Sequence, residues 1–333
     1  YNASVVTILI AFFFVALGNV DAVAEVITMF FMITYGSLCL ISFLYHFGAD
    51  PSYRPVFRSK WYISLIGFVM SIILMFQINT PYALAAMIIM FTVYLLISYY
   101  HSERRGIEAI FQGVMFQLNR KLHVYLQQTK KKESVDKWRP SAVCVSQYSL
   151  DREQPLDLLS WISYKYGFGT YIHLIEGYYS KSTREEAESV IAKLIKYSEH
   201  KNNNVFVDTI ISPSYTSAIA QVIQLPGISG MENNMVIFDF NKENPNNLEQ
   251  IIDNYSLVRA GNFDVCVIGC SSRKIKFRKG IHIWLKPTDF ENITLMILLN
   301  YIILSHPDWK GAHISIFNIS KKDEMQKHRE DLV

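Results

Sequence analysis

The chain has 333 residues, half of them hydrophobic and 18% charged, with a formal net charge of +3. That balance excludes an ordinary soluble domain and a wholly membrane-embedded one alike. The charges are also unevenly placed, since the first 100 residues hold only Asp21, Glu25, Asp50, Arg54, Arg58 and Lys60. A membrane half is therefore joined to a soluble half.

The first apolar run, "VVTILIAFFFVALG", begins almost at Tyr1, with no basic n-region, small-residue cleavage site or starting Met before it. The expectation is the C-terminal portion of a longer protein. A membrane-spanning helix needs about 20 apolar residues, rising ~1.5 Å each through ~30 Å of hydrocarbon. Four segments are expected to span: roughly 5–20, 27–47, 61–77 and 82–100. The last two are separated by "INTP", where Pro81 opens a new helix. Trp61, Tyr62, Tyr82, Tyr99 and Tyr100 fall at the expected ends, where amphipathic rings prefer to lie.

Basic residues orient the spans. The connection "GADPSYRPVFRSK" sets Arg54, Arg58 and Lys60 against Asp50 and reads as cytoplasmic, whereas "GNVDAVAE" carries only acids and "INTP" no charge. Residues 101–140 are again rich in Lys and Arg, so both ends of the chain are expected on the cytoplasmic side of a plasma or bacterial inner membrane. The sequons at Asn2, Asn254, Asn292 and Asn318 then never meet the glycosylating enzyme.

Near the middle of the second span lies a polar knot, Thr34, Tyr35, Gly36 and Ser37. A Tyr there must find a partner for its hydroxyl, because an unpaired polar group in hydrocarbon costs several kcal/mol. Two explanations stand: an interhelical hydrogen bond, with Gly36 and Ser37 admitting a neighbouring helix, or a phenol O–H that donates to something passing through. A neutral donor in a dry cavity suits an anion.

The connector 101–137 sets Ile107, Ile110, Phe111, Val114, Met115, Leu118 and Leu122 at helical spacing, an apolar face seeking a partner. Its Lys130–Lys132 run suits anionic headgroups or a solvated linker. From about 138 to 333 the period changes. "AVCVSQ", "TYIHLIEG", "VFVDTII", "MVIFDF", "DVCVIG", "IHIWL" and "HISIFN" read as strands, with amphipathic stretches such as "TREEAESVIAKLIKYSEH" between several of them, capped by Thr183. The expectation is a doubly wound α/β domain with a parallel sheet covered on both faces.

No catalytic constellation is visible in that domain. "VIGCSS" leaves a strand where such folds often bind phosphates and "PGISG" offers two glycines, but neither completes a phosphate-binding fingerprint. His173 and His282 sit in strands and are expected as core residues. Cys39, Cys144, Cys266 and Cys270 lack metal-ligand spacing and read as buried reduced thiols. Neither an enzyme, a cofactor, a metal site nor a nucleic-acid partner is indicated.

The membrane half, from Asn19 to Trp61, resembles the cation-chloride cotransporter family of the amino acid/polyamine/organocation superfamily. The resemblance rests on Asn19, Ala22, Ile27, Thr28, Phe30, Phe31, Thr34, Tyr35 and Phe43, then on Tyr53, Arg54, Pro55, Phe57 and Trp61. "WRPSAVCV", "PGISGMENNMVIFDF" and "IHIWLKPTDFENITLMILLNYIIL" are similar to elements of the family's cytoplasmic domain, except that Leu285 replaces a Trp and "DFEN" an acidic Gly-rich turn. The resemblance implies the end of a leucine-transporter-like fold of two inverted repeats, followed by a cytoplasmic regulatory domain. It implies symport of chloride with sodium, potassium or both, without ATP hydrolysis, by a homodimer. It also implies that Tyr35 is the tyrosine whose hydroxyl helps coordinate chloride. Two alternatives remain open at this stage: an amino-acid or polyamine permease of the same superfamily, and a membrane-anchored nucleotide-sensing α/β domain.

Overall fold

The computed structural model describes residues 4–5, 7–8, 11–12, 20–48, 60–100, 106–129, 138–201, 203–229, 232–273 and 275–318. The chain divides into two compact units, Tyr1–Tyr125 and Leu126–Val333. Most of the expected first span, 5–20, lies outside the described residues. So do Asn19, Tyr53, Arg54, Pro55 and Phe57.

In the first unit, helix α1 spans Val20–Gly48. It starts several residues before the expected 27, so part of the loop expected in "GNVDAVAE" is helical instead. The Ala-rich stretch favours helix, and Asp21 in the first turn complements the positive helix end. Glu25 therefore sits on the helix, where it accepts a 2.7 Å hydrogen bond from the Asn79 side-chain amide. Helix α2 covers Trp61–Ile78 and α3 covers Thr80–Tyr100, with only Asn79 between them. Pro81 lies in the first turn of α3, where its missing N–H is not needed. All three helices are long and apolar enough to cross a membrane.

Helices α1 and α2 pack through small residues in an antiparallel ladder. A Cβ added at Gly36 would stand 3.3 Å from the Cβ of Ser71, and one at Gly67 3.0 Å from the Cys39 sulfur. One step further along, the Ser42 and Ser64 hydroxyls share a 3.0 Å hydrogen bond. Backbones approach this closely only where side chains are absent or short, which is how helices associate where lipid supplies no hydrophobic drive. Gly67→Val drives a branched side chain into Cys39, and the expected cost is about 1–3 kcal/mol. A thermal melt of the detergent-solubilised chain, followed through the Ser42–Ser64 region, checks it.

Helix α4, Gly106–Thr129, is the amphipathic connector. Gly113 lies in backbone contact with Gly48, and the Lys121 ammonium sits 5.0 Å from the Phe47 ring centre. Phe111, Met115, Leu118 and Leu122, four of the face predicted to seek a partner, remain exposed.

The second unit is built on a five-stranded parallel sheet of β1 (Ser141–Ser146), β2 (Phe168–Glu176), β3 (Val205–Ser212), β4 (Met235–Asn241) and β5 (Asp264–Cys270), in the order β3-β2-β1-β4-β5. Between them run α5 (Gln154–Ser163), α6 (Lys181–His200), α7 (Tyr215–Gln224) and α8 (Leu248–Ala260). The period of two divides the strands between two cores. Ala142 and Cys144 of β1, with Met235 and Ile237 of β4, face Leu159 of α5 and Leu194 of α6. Val143 and Val145, with Val236 and Phe238, face Ile219 of α7 and Val258 of α8. Helices thus cover both faces of the sheet.

Three expectations need correction. Thr183 is not the cap of α6: Ser180 is, its hydroxyl accepting from the Thr183 N–H while the Thr183 hydroxyl accepts from the Ser180 N–H. The last two strands, β6 (Ile281–Leu285) and β7 (Ile314–Asn318), do not join the main sheet but pair in parallel with each other, linked by α9 (Ile293–Leu304). The cause is legible in "IHIWL", where apolar residues alternate with His282 and Trp284 rather than running on, as in a strand covered on one face only. Accordingly His282 is exposed and not a core residue. All four cysteines are free; Cys144 and Cys270 are buried, Cys39 and Cys266 partly so.

Candidate functional site

Tyr35 lies on α1 beside the face that packs on α2, not within it. Gly36 next to it is buried against Ser71 and Phe68, whereas Tyr35 is 58% exposed and its ring stacks on Phe31 at 6.3 Å. The polar knot therefore separates into parts with different tasks. Gly36 admits α2, and the Thr34 hydroxyl donates to the Phe30 carbonyl at 2.8 Å, a bond within its own helix. Among the described residues, the Tyr35 hydroxyl has no hydrogen-bond partner. Of the two explanations for a mid-span tyrosine, the bond to α2 or α3 is thus not made here, and the phenol donor is presented outward from the three-helix cluster.

In the second unit the sheet order reverses direction between β1 and β4, and a crevice of about 600 Å³ opens at their carboxyl ends, where α/β folds commonly bind ligands. Arg152, in the loop after β1, donates to the Asp239 carboxylate of β4 at 2.8 Å and stands 4.1 Å over the Tyr148 ring. Both members of this pair are nearly buried. Sequence reasoning missed them, although an Asp inside the apolar run "MVIFDF" required a buried cation nearby.

The rest of the crevice is acidic. Asp151, Glu153, Asp157 and Glu243 line it with Arg152 and Arg273; Arg152 is paired to Asp239, and Lys201 bridges Glu153 and Asp157 at 2.9 Å each. At the end of "VIGCSS", the Ser272 hydroxyl donates to Glu243 at 2.6 Å, which holds that carboxyl below its ordinary range. The loop expected to cradle a phosphate thus faces a carboxylate, and charge alone opposes a second anion there. Burial and the Asp239 carboxylate push the Cys270 thiol up to about 11, and burial does the same to Cys266. These thiols stay protonated at neutral pH and make poor nucleophiles.

His173 is half-buried and shares a 2.7 Å hydrogen bond with the Ser149 hydroxyl. Burial lowers its pKa from the ordinary 6.5, and burial likewise lowers that of His306, against the opposing pull of Asp308. The unfolded chain therefore binds protons that these two side chains refuse in the fold. The stabilisation is complete above pH 6.5 and is lost as pH falls through and below that value. Denaturant unfolding of the α/β unit within the whole chain, compared at pH 7.5 and 5.5, is expected to show the lower midpoint at pH 5.5, a difference removed by His173→Gln with His306→Gln.

No protein-family model matches the chain. Among curated proteins, it is 22% identical to "Cation-chloride cotransporter 1" of Oryza sativa subsp. japonica over 97% of its length. It is 27% identical over 96% to "Potassium/chloride cotransporter 3" of Caenorhabditis elegans, and 24% identical over 67% to "Solute carrier family 12 member 9" of Xenopus laevis. The chain spans about a third of the length of the first of these, 34%, and 31% of the second.

Proposed function

We infer that this chain is a cation-chloride cotransporter homologue, and on that premise we propose that it forms part of a secondary active transporter, not an enzyme, that carries chloride together with potassium, sodium or both. One observation carries the reading: similarity to named cotransporters extends over nearly the whole chain, across the apolar helices and the parallel α/β unit alike. In this proposal the spans are the end of a leucine-transporter-like bundle, the α/β unit is its cytoplasmic regulatory domain, and the working molecule is a homodimer.

Tyr35 is the chloride ligand of this reading. Its hydroxyl is neutral, fixed on a long helix, and turned away from α2, so it can donate one hydrogen bond to an anion held between α1 and the remainder of the bundle. Chloride accepts such bonds without needing a buried positive charge, and a dry cavity strengthens each of them. The cation is held by other parts of the complete protein.

The experiment that separates this from a permease of the same superfamily is cation uptake by the complete protein with chloride replaced by gluconate. Loss of labelled rubidium or sodium uptake is expected. Undiminished uptake, or uptake of an amino acid or polyamine that ignores chloride, overturns the proposal.

A further inference from the structure

From Ser271 to Thr288 the chain carries Arg273, Lys274, Lys276, Arg278, Lys279 and Lys286 and no carboxylate. This run is held by the half-buried ring of Phe277. Phe277 packs edge-on against Trp161 and Trp309, at 5.8 and 5.0 Å, while Lys276, Arg278 and Lys279 around it are exposed. Gly280 follows with φ of +79°, and a Cβ there would collide with the His313 carbonyl, so the turn from the basic run into β6 is fixed. Among the described residues, none of Lys276, Arg278, Lys279 and Lys286 forms an ion pair. The carboxylates closest in sequence are Asp289, which accepts from the Lys286 backbone N–H at 2.9 Å, and Glu291.

Strand β6 then turns an aromatic shelf outward. Ile283 and Leu285 point into the unit, whereas Trp284 is 56% exposed and stacks flat on Phe317 of β7, with ring centres 4.5 Å apart. His282 meets the edge of the same Phe317 ring at 5.2 Å. An exposed Trp costs free energy in water, and the exposed cations that flank β6 in sequence, Lys279 before it and Lys286 after it, define the charge of what covers it.

We propose that this face of the α/β unit, Lys276 to Lys286 with Trp284 and Phe317, binds anionic phospholipid headgroups. Lysine and arginine supply the attraction to a negative surface, and indole rings settle at headgroup depth. Stacked rings beside cations would also take unpaired nucleic-acid bases. The chain itself decides between them: its apolar helices tether the unit to a bilayer, so headgroups are present at a high effective concentration that no free polymer matches. The inference rests on those helices crossing a bilayer and is independent of which ion is carried.

The test uses the whole chain in nanodiscs of phosphatidylcholine, floated with vesicles of phosphatidylcholine alone or mixed with phosphatidylserine. Binding to the mixed vesicles only, weakening as salt is added, is the expected result. Lys276→Gln with Arg278→Gln and Lys279→Gln is expected to lower that affinity about a hundredfold, roughly fivefold for each cation removed. Trp284→Ser lowers it further without changing the salt dependence. Equal binding to both vesicle types overturns the proposal, as does a triple variant that binds as before, the result expected if the Lys130–Lys132 run does the work. Preferential capture of a single-stranded oligonucleotide over phosphatidylserine vesicles overturns it too. No ion flux enters the readout, so its failure leaves the transport reading untouched.

Discussion

Replacing Tyr35 by Phe in the complete protein is expected to raise the chloride concentration that half-saturates transport by about ten- to a hundredfold. A hydrogen bond to a charged partner is worth roughly 1.5–3 kcal/mol, and each ~1.4 kcal/mol is a factor of ten. The substitution deletes one oxygen and keeps the ring, so the stacking on Phe31 survives. Because the hydroxyl bonds to none of the described residues, stability should stay within about 0.5 kcal/mol of the parent. Thr34→Val is the control, since the Thr34 hydroxyl is satisfied within its own helix at the Phe30 carbonyl; it should leave chloride dependence unchanged. Flux measured over a chloride titration distinguishes the outcomes, and an unaltered half-saturation point in Tyr35→Phe removes this residue from the ion path.

Arg152→Ala is expected to destabilise the α/β unit by about 3–5 kcal/mol, the usual result of stripping one partner from a buried ion pair. Asp239, its carboxylate only 4% exposed, would be left without its cation on a strand paired along its length with β5. Loss of the guanidinium also uncovers the Tyr148 ring. Joint replacement, Arg152→Leu with Asp239→Leu, should recover most of that loss, because the desolvation cost vanishes with both charges. Hydrogen exchange of the β1 and β4 amides in the whole chain reads both effects. If the double variant is as unstable as the single one, the pair is not the source.

Why so much of this architecture was legible follows from two periodicities. Spans of about 20 apolar residues announce themselves, since nothing soluble needs Ile27–Phe47 to be uncharged. The seven strands stand out because each is a short Val/Ile run bounded by turn residues. What was misjudged depends on context beyond the local pattern. Neither acid of "GNVDAVAE" ends α1: Asp21 lies in the first turn, where a helix end favours an acid, and Glu25 is met by the Asn79 amide. Ser180 caps α6 because its hydroxyl meets the Thr183 N–H, and either residue type serves as a cap. The separate β6–β7 ribbon follows from the alternation in "IHIWL", which suits a strand covered on one face and not one inside the main sheet.

The site was legible to a different degree in each half. Tyr35 stood out because a phenol in mid-span breaks the apolar pattern, and Gly36 beside it is explained by the 3.3 Å approach to Ser71. The Arg152–Asp239 pair did not, because its members lie 87 positions apart and only the β1–β4 pairing brings them together. No motif records such a contact. The aromatic shelf of Trp284 and Phe317 likewise exists only because two strands distant in sequence pair in parallel.

The most direct measurement is coupling itself: the complete protein in sealed proteoliposomes, given an inward chloride gradient and no nucleotide. Labelled potassium or sodium is expected to accumulate above its outside concentration, and dissipating the chloride gradient to abolish the accumulation. Cation movement that merely equilibrates, whatever the chloride gradient, would contradict that coupling.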